Sequence, residues 1–501
     1  MEENNLQNLG TEREERLKKL EALRAAGINP YPAESKRNIT AQELLANFSE
    51  WEKSQAEVML TGRLMSLRTH GNLTFANLQD ESASLQIALS KKDLGDELYK
   101  RFVKLIDVAD FIQVSGTCFV THKGENSLLV KDWKILSKAL APLPEKWHGL
   151  QDDDDKLRKR YLDILLNAEI KDMFYKKAKF WETTRNFMKS HGFFEVETPT
   201  IEVTTGGAEA NPFKTHHDDF DVDVYMRISV GELWQKRLMA AGFEKTFEIG
   251  RVYRNEGSSP DHLQEFTNME FYWAYANYED GMKLSQNLYR EIAQKVFGKT
   301  KFNAKGYEFD LADEWPHLDY CQTVLEKTGI NVLTAGEEEM KAKLNELNVK
   351  YDGDNRERLT DTLWKYCRKQ VAGPAFLVNH PKLVSPLSKS KTDNPELTER
   401  FQIIIAGSEV GNGFSELNDP IDQRKRFELQ EKLIDRGDKD AMMPDWEFVE
   451  MLEHGMPPTC GFGFGERLFA FMMDKPVRET TLFPLMKPKI ESHEKIEKDN
   501  K

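Results

Sequence analysis

Between Phe247 and Tyr275 the chain reads FEIGRVYRNEGSSPDHLQEFTNMEFYWAY, and no other stretch limits the fold so tightly. A run with period-two alternation breaks at Asn255 to Pro260, and a second alternating run follows from Glu265 to Trp273. This predicts a β-hairpin with an ordered, charged loop. Arg254, Glu256 and His262 stand at the mouth of the loop, while Phe266, Glu270 and Tyr272 share one face of the returning strand. A buried sheet face rarely holds a glutamate between aromatics unless that glutamate is paired. An ordinary surface ion pair would explain one Arg and one Glu, but not an Arg, an acid, a His and an aromatic aimed at one side. An Arg fork beside a stackable ring and an acid suits a nucleotide, with its phosphate, base face and amino group.

At 501 residues, about two or three domains are expected. No run approaches the ~18 to 20 apolar residues of a membrane helix, and MEENNLQNLGTEREERLKKL lacks the apolar core of a secretory signal. Cys118, Cys321, Cys367 and Cys460 form no CxxC pair. That argues for a reducing, cytoplasmic setting and against a zinc site. A net charge of −14 is unlike a general nucleic-acid binder. A local basic face is still enough to hold RNA.

Residues 11 to 27 predict an amphipathic helix capped by Thr11, with Glu14 completing a capping box and Gly27 as the stop. From Val58 to Leu136 five short alternating runs recur, with a helical stretch near 93–105, as expected for a small closed OB-type barrel. Such barrels bind single-stranded nucleic acid on aromatics set in a basic groove. Residues 137 to 165 carry two prolines, an acidic run and a basic run, the mark of a linker, and Asp152–Asp155 read as a solvated helix start. A helix over 170 to 191 leads to GFFEVETPTI, a strand ended by Pro199, and then to the glycine-rich TTGGAEANPF. Residues 300 to 380 are highly charged and helical in pattern, an insertion that covers the active site in the simplest reading. In SPLSKSKTDNPELTERFQIIIAGSEVGNGFSELND, Glu409 and Glu416 lie seven apart with Asn412 between them, and Gly411 and Gly413 are expected to leave room for a ligand. Near the end, PPTCGFGFGERLFAFMMD has a GxGxG run, but no strand–turn–helix with a later ribose acid surrounds it.

These motifs, in this order, resemble those of the class II aminoacyl-tRNA synthetases, and over nearly the full length the chain is similar to the bacterial-type lysyl-tRNA synthetases. YRNE…H…EFTxxE resembles motif 2, GFFEVETP motif 1, and GFGFGER motif 3, in which one residue rather than the usual two separates the last glycine from Arg467. The resemblance implies an α+β fold, with an antiparallel catalytic sheet flanked by helices and an N-terminal OB barrel. The expected organisation is a helical extension over 1–56, the barrel over 57–140 and a linker over 141–166. A catalytic domain follows over 167–490 with the insertion at about 300–380, and a polar tail ends the chain over 491–501.

The resemblance further implies ATP-dependent joining of L-lysine to tRNA(Lys) through a lysyl-adenylate, by a homodimer with no membrane attachment. Arg254 would clamp the α-phosphate, Glu256 the adenine amino group, and Phe266 would stack on the base. His262 and Arg467 would hold the distal phosphates, and Arg254 with Arg467 would be the catalytic pair. Glu409 would ligate magnesium, together with Gln402, which stands where the family usually has a second Glu. Gly206, Glu232, Glu270, Tyr272, Asn412 and Glu416 would bind lysine; Arg68, Phe75, Gln86 and Asp132 would read the anticodon. Charge alone favours lysine, since a buried ammonium must be paired and Glu270 with Glu416 supply two negative charges. An aspartate-specific relative would need cations there. A paralogue that lysylates proteins would lack the barrel, and a non-enzymatic RNA binder would have no need of Arg254, Glu256 and His262.

Overall fold

The five runs of the N-terminal part close on themselves. They form β1 (Val58–His70), β2 (Leu73–Gln79), β3 (Ser84–Ser90), β4 (Phe111–Val120) and β5 (Asn126–Ser137), a barrel in the order β1-β2-β3-β5-β4. Closure needs sharp bends, and Gly116 marks one, where a Cβ would lie 2.0 Å from the Leu129 carbonyl oxygen. Alternate residues point inward, so Val58, Leu60, Leu64, Ile87, Leu128 and Val130 fill the barrel. The helix Asp96–Leu105 packs on this core through Tyr99, Phe102 and Leu105, with Phe102 edge-on to Trp133 at 5.3 Å.

In the computed structural model, the described residues are 2–144, 152–208, 210–257, 259, 262–351, 353–438 and 441–488, with side chains from Thr11 onward. They fall into two compact units, 1–151 and 152–501. The N-terminal helix spans Glu2–Ala25, so Thr11 lies inside it and is not its cap. Local capping preference is weaker than continued helix. Its end is as expected: Gly27 takes φ +71° and its N–H bonds the Arg24 carbonyl. Arg16 is buried and donates to the carbonyls of Val108 and Ala139, which removes it from any RNA-facing role. Residues 152–166, expected within the linker, form the helices Asp153–Arg158 and Arg160–Leu166, and Asp152 caps the first of them. Residues 145–151 of that linker and the expected tail 491–501 lie outside the described residues.

The second unit is built on one large sheet. Its strands are β6 (Phe194–Glu195), β10 (Lys245–Tyr253), β11 (Glu265–Ala274), β14 (His317–Asp319), β15 (Ala375–Pro381), β16 (Leu397–Ile405), β17 (Ser408–Ser415) and β18 (Thr459–Gly465). The order is β14-β15-β16-β17-β18-β11-β10-β6. A small sheet holds β7 (Ile201–Glu202), β8 (Lys214–His217) and β9 (Val222–Met226), and β12 (Lys301–Ala304) pairs with β13 (Tyr307–Asp310). The helices Ala168–Ser190 and Tyr278–Ile292 cover one face of the large sheet with Phe180, Phe187, Leu288 and Tyr289.

The charged region 300–380 is not a separate helical insertion throughout, because β14 and β15 belong to the main sheet. Between them the helices Tyr320–Thr328, Glu337–Glu346 and Arg356–Arg368 enclose a core of their own around Val324, Met340, Leu359, Leu363 and Trp364. The charge count hid these strands: each is short, and the surrounding helical residues dominate the local composition. No helix among the described residues is long and apolar enough to cross a membrane.

Candidate active site

The hairpin forms where expected. β10 and β11 pair antiparallel with Val252 opposite Phe266 and Glu248 opposite Glu270. One face of β11 therefore presents Phe266, Asn268, Glu270 and Tyr272 to a cavity of about 610 Å³. β17 and β18 continue the floor, and the helices Glu232–Ala240 and Arg356–Arg368 contribute Glu232, Glu357, Asp361, Lys365 and Arg368 to the walls. Arg254, Glu256, His262, Phe266, Glu232, Glu270, Tyr272, Gln402, Glu409, Asn412, Glu416 and Arg467 all line this one cavity. Gly206 lies just behind it, its carbonyl accepting from Ser229 Oγ at 2.9 Å.

One end of the cavity is acidic. Glu232, Glu270 and Glu416 are 6%, 7% and 1% exposed. Glu270 accepts from the Val230 N–H at 2.8 Å and from the Tyr272 hydroxyl at 3.1 Å. Glu416 Oε2 lies 2.6 Å from Lys236 Nζ in an ion pair, and neither oxygen of this buried carboxylate has a hydrogen-bond partner. The carboxylate of Glu416 reaches this place only because residue 461 is glycine, where a Cβ would stand 2.1 Å from Glu416 Oε1. Gly207, at φ +88°, likewise admits Glu232 against the backbone. Burial pushes Glu416 up to about 8, and burial with the neighbouring Glu232 pushes Glu270 up to about 7. Such a site gains most from a buried cation that keeps these carboxylates ionised.

The other end is cationic and aromatic. Arg254 donates through Nε and Nη2 to the Ile228 carbonyl, and its guanidinium lies 5.3 Å from the centre of the Phe266 ring. His262 Nδ1 and Ser259 Oγ are 2.7 Å apart at the exposed mouth. The shortened link after β18 still turns Arg467 into the cavity, where Nη1 donates to the Glu409 carbonyl at 3.2 Å. Glu466 is buried beneath, accepting from the Thr267 N–H at 3.0 Å and from Lys177 at 2.6 Å, so this single residue locks the turn.

Gln402 and Glu409 lie on different strands. They sit on β16 and β17, joined by a turn at Ala406 and Gly407, with Gln402 opposite Asn412. Gln402 Nε2 donates to Glu409 Oε2 at 2.9 Å, while Gln402 Oε1 is buried without a partner. A carboxylate and an unused amide carbonyl are oxygen donors of the kind a hard divalent ion takes, and they fit an ion whose other ligands are phosphates and water. Among the described residues no group of three His, Cys, Asp or Glu could hold a metal alone. Gly411 and Gly413 were expected to make room for a ligand. Their absent side chains instead admit Tyr289, Phe462 and Phe401 of the core.

The barrel carries a second constellation. Arg68 lies opposite Phe75, and Phe75 lies opposite Ala88, two residues from Gln86 on the same outward face. Gln86 faces Ser127 across to β5 and donates to its Oγ at 2.8 Å. Asp132 is not with them. It stands five residues along β5 from Ser127, about 16 Å at ~3.3 Å per residue. The acid at the Gln86 end is Glu125, whose carbonyl accepts from Ser127 Oγ at 3.2 Å.

Sequence reasoning missed several residues that line the cavity or lie behind its acidic wall. Lys236 forms an i,i+4 pair with Glu232, a spacing that usually marks a solvated helix face, and only its burial to 1% sets it apart. Arg400 donates to Asn412 Oδ1 at 2.9 Å, and Asn268 Oδ1 is buried without a partner. His380, buried beside Arg400, is held neutral by burial. No motif spacing points to these residues, since Lys236 comes from a helix and Arg400, Asn268 and His380 from three different strands.

Residues 152–487 match the family model described as tRNA synthetases class II (D, K and N), and residues 58–136 match that of the OB-fold nucleic acid binding domain. The chain is 40% identical to the lysine–tRNA ligase of Thermotoga maritima over 491 residues, covering 97% of this chain and 98% of that protein. It is 42% identical to the lysine–tRNA ligase of Roseiflexus sp. over 482 residues, covering 95% and 98%. It is 41% identical to that of Moorella thermoacetica over 483 residues, again covering 95% and 98%.

Proposed function

The chain belongs to the class II tRNA synthetases of the D, K and N group, and from that footing we propose that it joins L-lysine to tRNA(Lys) at the expense of ATP. The observation that carries the choice of amino acid is the acidic end of the cavity, where Glu232, Glu270 and Glu416 are buried together. Relatives named as lysine–tRNA ligases over nearly the whole chain support the same choice. The reaction has two steps. The lysine carboxylate attacks the α-phosphate of ATP, giving lysyl-adenylate and pyrophosphate, and a ribose hydroxyl at the tRNA terminus then takes the lysyl group with release of AMP. Positioning and charge neutralisation supply most of the catalysis. Arg254 meets the α-phosphate as charge develops there. Phe266 stacks on adenine, Glu256 receives its amino group, and His262 and Arg467 hold the distal phosphates. Lysine lies with its α-ammonium toward Gly206, Glu232 and Glu270, and its ε-ammonium toward Glu416, Tyr272 and Asn412. ATP–pyrophosphate exchange with lysine, aspartate and asparagine in turn tests this: lysine alone should drive it, and exchange driven by aspartate would overturn it.

Magnesium, when bound, neutralises phosphate charge, and Glu409 with Gln402 Oε1 would hold it. Gln402 brings no negative charge, so a weaker site is expected, because affinity for hard ions follows ligand charge. Exchange by a Gln402→Glu variant should saturate at lower magnesium than exchange by the natural chain. Superimposable magnesium curves would remove Gln402 from the site.

The barrel face of Arg68, Phe75 and Gln86 serves to read the anticodon, with a base stacked on Phe75. Glu125 suits the acidic reader better than Asp132, because it stands at the Gln86 end of β5. Phe75→Ala should weaken aminoacylation by about 1–3 kcal/mol and leave exchange nearly intact. Equal losses in the two assays would make Phe75 a packing residue. A homodimer is supported by the exposed apolar side chains Phe194 (59%), Ile201 (57%), Val203 (68%) and Phe220 (70%) on β6, β7 and the neighbouring loops, which a second copy would cover. The four cysteines are free, in keeping with a cytoplasmic enzyme.

A further inference from the structure

Lys236 is the charged group at the acidic end to which none of these roles gives a task. Its side chain is 1% exposed, and Nζ stands 2.8 Å from Glu232 Oε1 and 2.6 Å from Glu416 Oε2. The rings of Phe414, Tyr272 and Phe448 lie 5.3, 5.8 and 5.8 Å from it. A lysine in such surroundings would ordinarily give up its proton. Burial works in that direction here, but Glu232 and Glu416 outweigh it and hold Lys236 above its ordinary range. The ammonium is therefore a fixed charge that joins the helix Glu232–Ala240 to the end of β17.

This fixed charge changes the balance of the pocket. Once all are ionised, Glu232, Glu270 and Glu416 bring three negative charges and Lys236 one positive, which leaves −2 for the ligand to meet. Free lysine carries two ammonium groups, and Arg254 stands near Glu270 on the side where the substrate carboxylate and the phosphate belong. Glu416 meets Lys236 through Oε2 as an ion pair, and neither of its oxygens makes a hydrogen bond, so Oε1 remains as the acceptor for an incoming cation. The other titratable groups that face Glu416 and Lys236 are Tyr272 and the Cys460 thiol, both kept protonated by burial.

We propose, on the lysine reading above, that Lys236 is a positioning residue that orients Glu232 and Glu416 and sets the pocket charge to match the two ammonium groups of lysine. Without it three buried carboxylates share the pocket with no cation, and they cannot all stay ionised near neutral pH. The incoming lysine must then expel protons held more tightly than those it displaces from the natural pocket, where Lys236 opposes the rise of Glu416.

The test is steady-state ATP–pyrophosphate exchange from pH 6.5 to 9 for the full chain, Lys236→Met, Lys236→Gln and Lys236→Arg. Lys236→Met is expected to raise the KM for lysine ~30-fold or more at neutral pH, with the KM for ATP changed less than ~3-fold. The pH profile of the lysine KM should move to the alkaline side, and Lys236→Arg, which keeps the charge, should bring the profile back. Should Lys236→Met fail to fold, Lys236→Gln, which keeps donors for both carboxylates, is read in the same way. Lysine and ATP KM values that rise together, or an unmoved pH profile in the neutral variants, would overturn the inference. A natural chain without lysine-dependent exchange would overturn the lysine reading and this inference with it.

Discussion

Arg254→Ala is expected to slow ATP–pyrophosphate exchange by about 10²- to 10³-fold, the usual cost of removing one donor aimed at developing charge. Arg254 leaves β10 at the mouth of the hairpin, with the Ile228 carbonyl fixing one edge of its guanidinium and Phe266 facing its plane. The remaining N–H groups are thereby directed to the cavity without further ordering. Arg254→Lys should recover only a small part of the rate, because a point ammonium cannot reproduce the planar fork. The loss should fall on kcat more than on the lysine KM, since the acidic end is built from other residues. Single-turnover adenylate formation checks this directly. A rate within tenfold of the natural chain would place the α-phosphate elsewhere.

Glu416→Gln should lower kcat/KM for lysine by ~2–4 kcal/mol, the cost of leaving a buried ammonium without its carboxylate. The variant keeps the shape of the side chain, so the change is one of charge. It also has a pH signature. The Glu416 carboxyl is raised to about 8 and that of Glu270 to about 7, burial being the first cause of both. Their protonated forms therefore dominate the free pocket at pH 6, and lysine must displace protons to bind. Lysine affinity of the natural chain is expected to rise as pH increases through 7 to 8, and to rise less steeply in Glu416→Gln. The free protein follows the opposite trend. A carboxyl whose folded pKa is raised contributes stability that is full below its unfolded pKa and is lost as pH rises through the folded value. Lysine should thus protect against thermal unfolding more strongly at pH 8.5 than at pH 6, and calorimetric scans at the two values check the sign.

Much of this site is legible in the residues themselves, for a physical reason. The hairpin Phe247–Tyr275 alternates with period two, so Phe266, Glu270 and Tyr272 must share a face, and they do. The barrel was readable because its strands are amphipathic and separated by turns. What escaped depends on contacts between distant segments. The turn at Ala406–Gly407 that puts Gln402 and Glu409 on different strands is masked in the sequence by the apolar run of Ile403, Ile404 and Ile405 leading into it. Asp132 and Glu125 are both acids of one hairpin, and only the pairing of Gln86 with Ser127 separates their positions. Lys236 looked like half of a helical surface pair until Glu416 approached from the end of β17.

The central claim is transfer of lysine to tRNA, and the direct measurement is incubation of the full chain with ATP, radiolabelled lysine and unfractionated tRNA. The account predicts label in an acid-insoluble, ribonuclease-sensitive fraction, abolished by prior periodate oxidation of the tRNA termini, and borne by tRNA with a lysine anticodon. Lysine-dependent exchange accompanied by label in protein, or no label in tRNA at all, would contradict it.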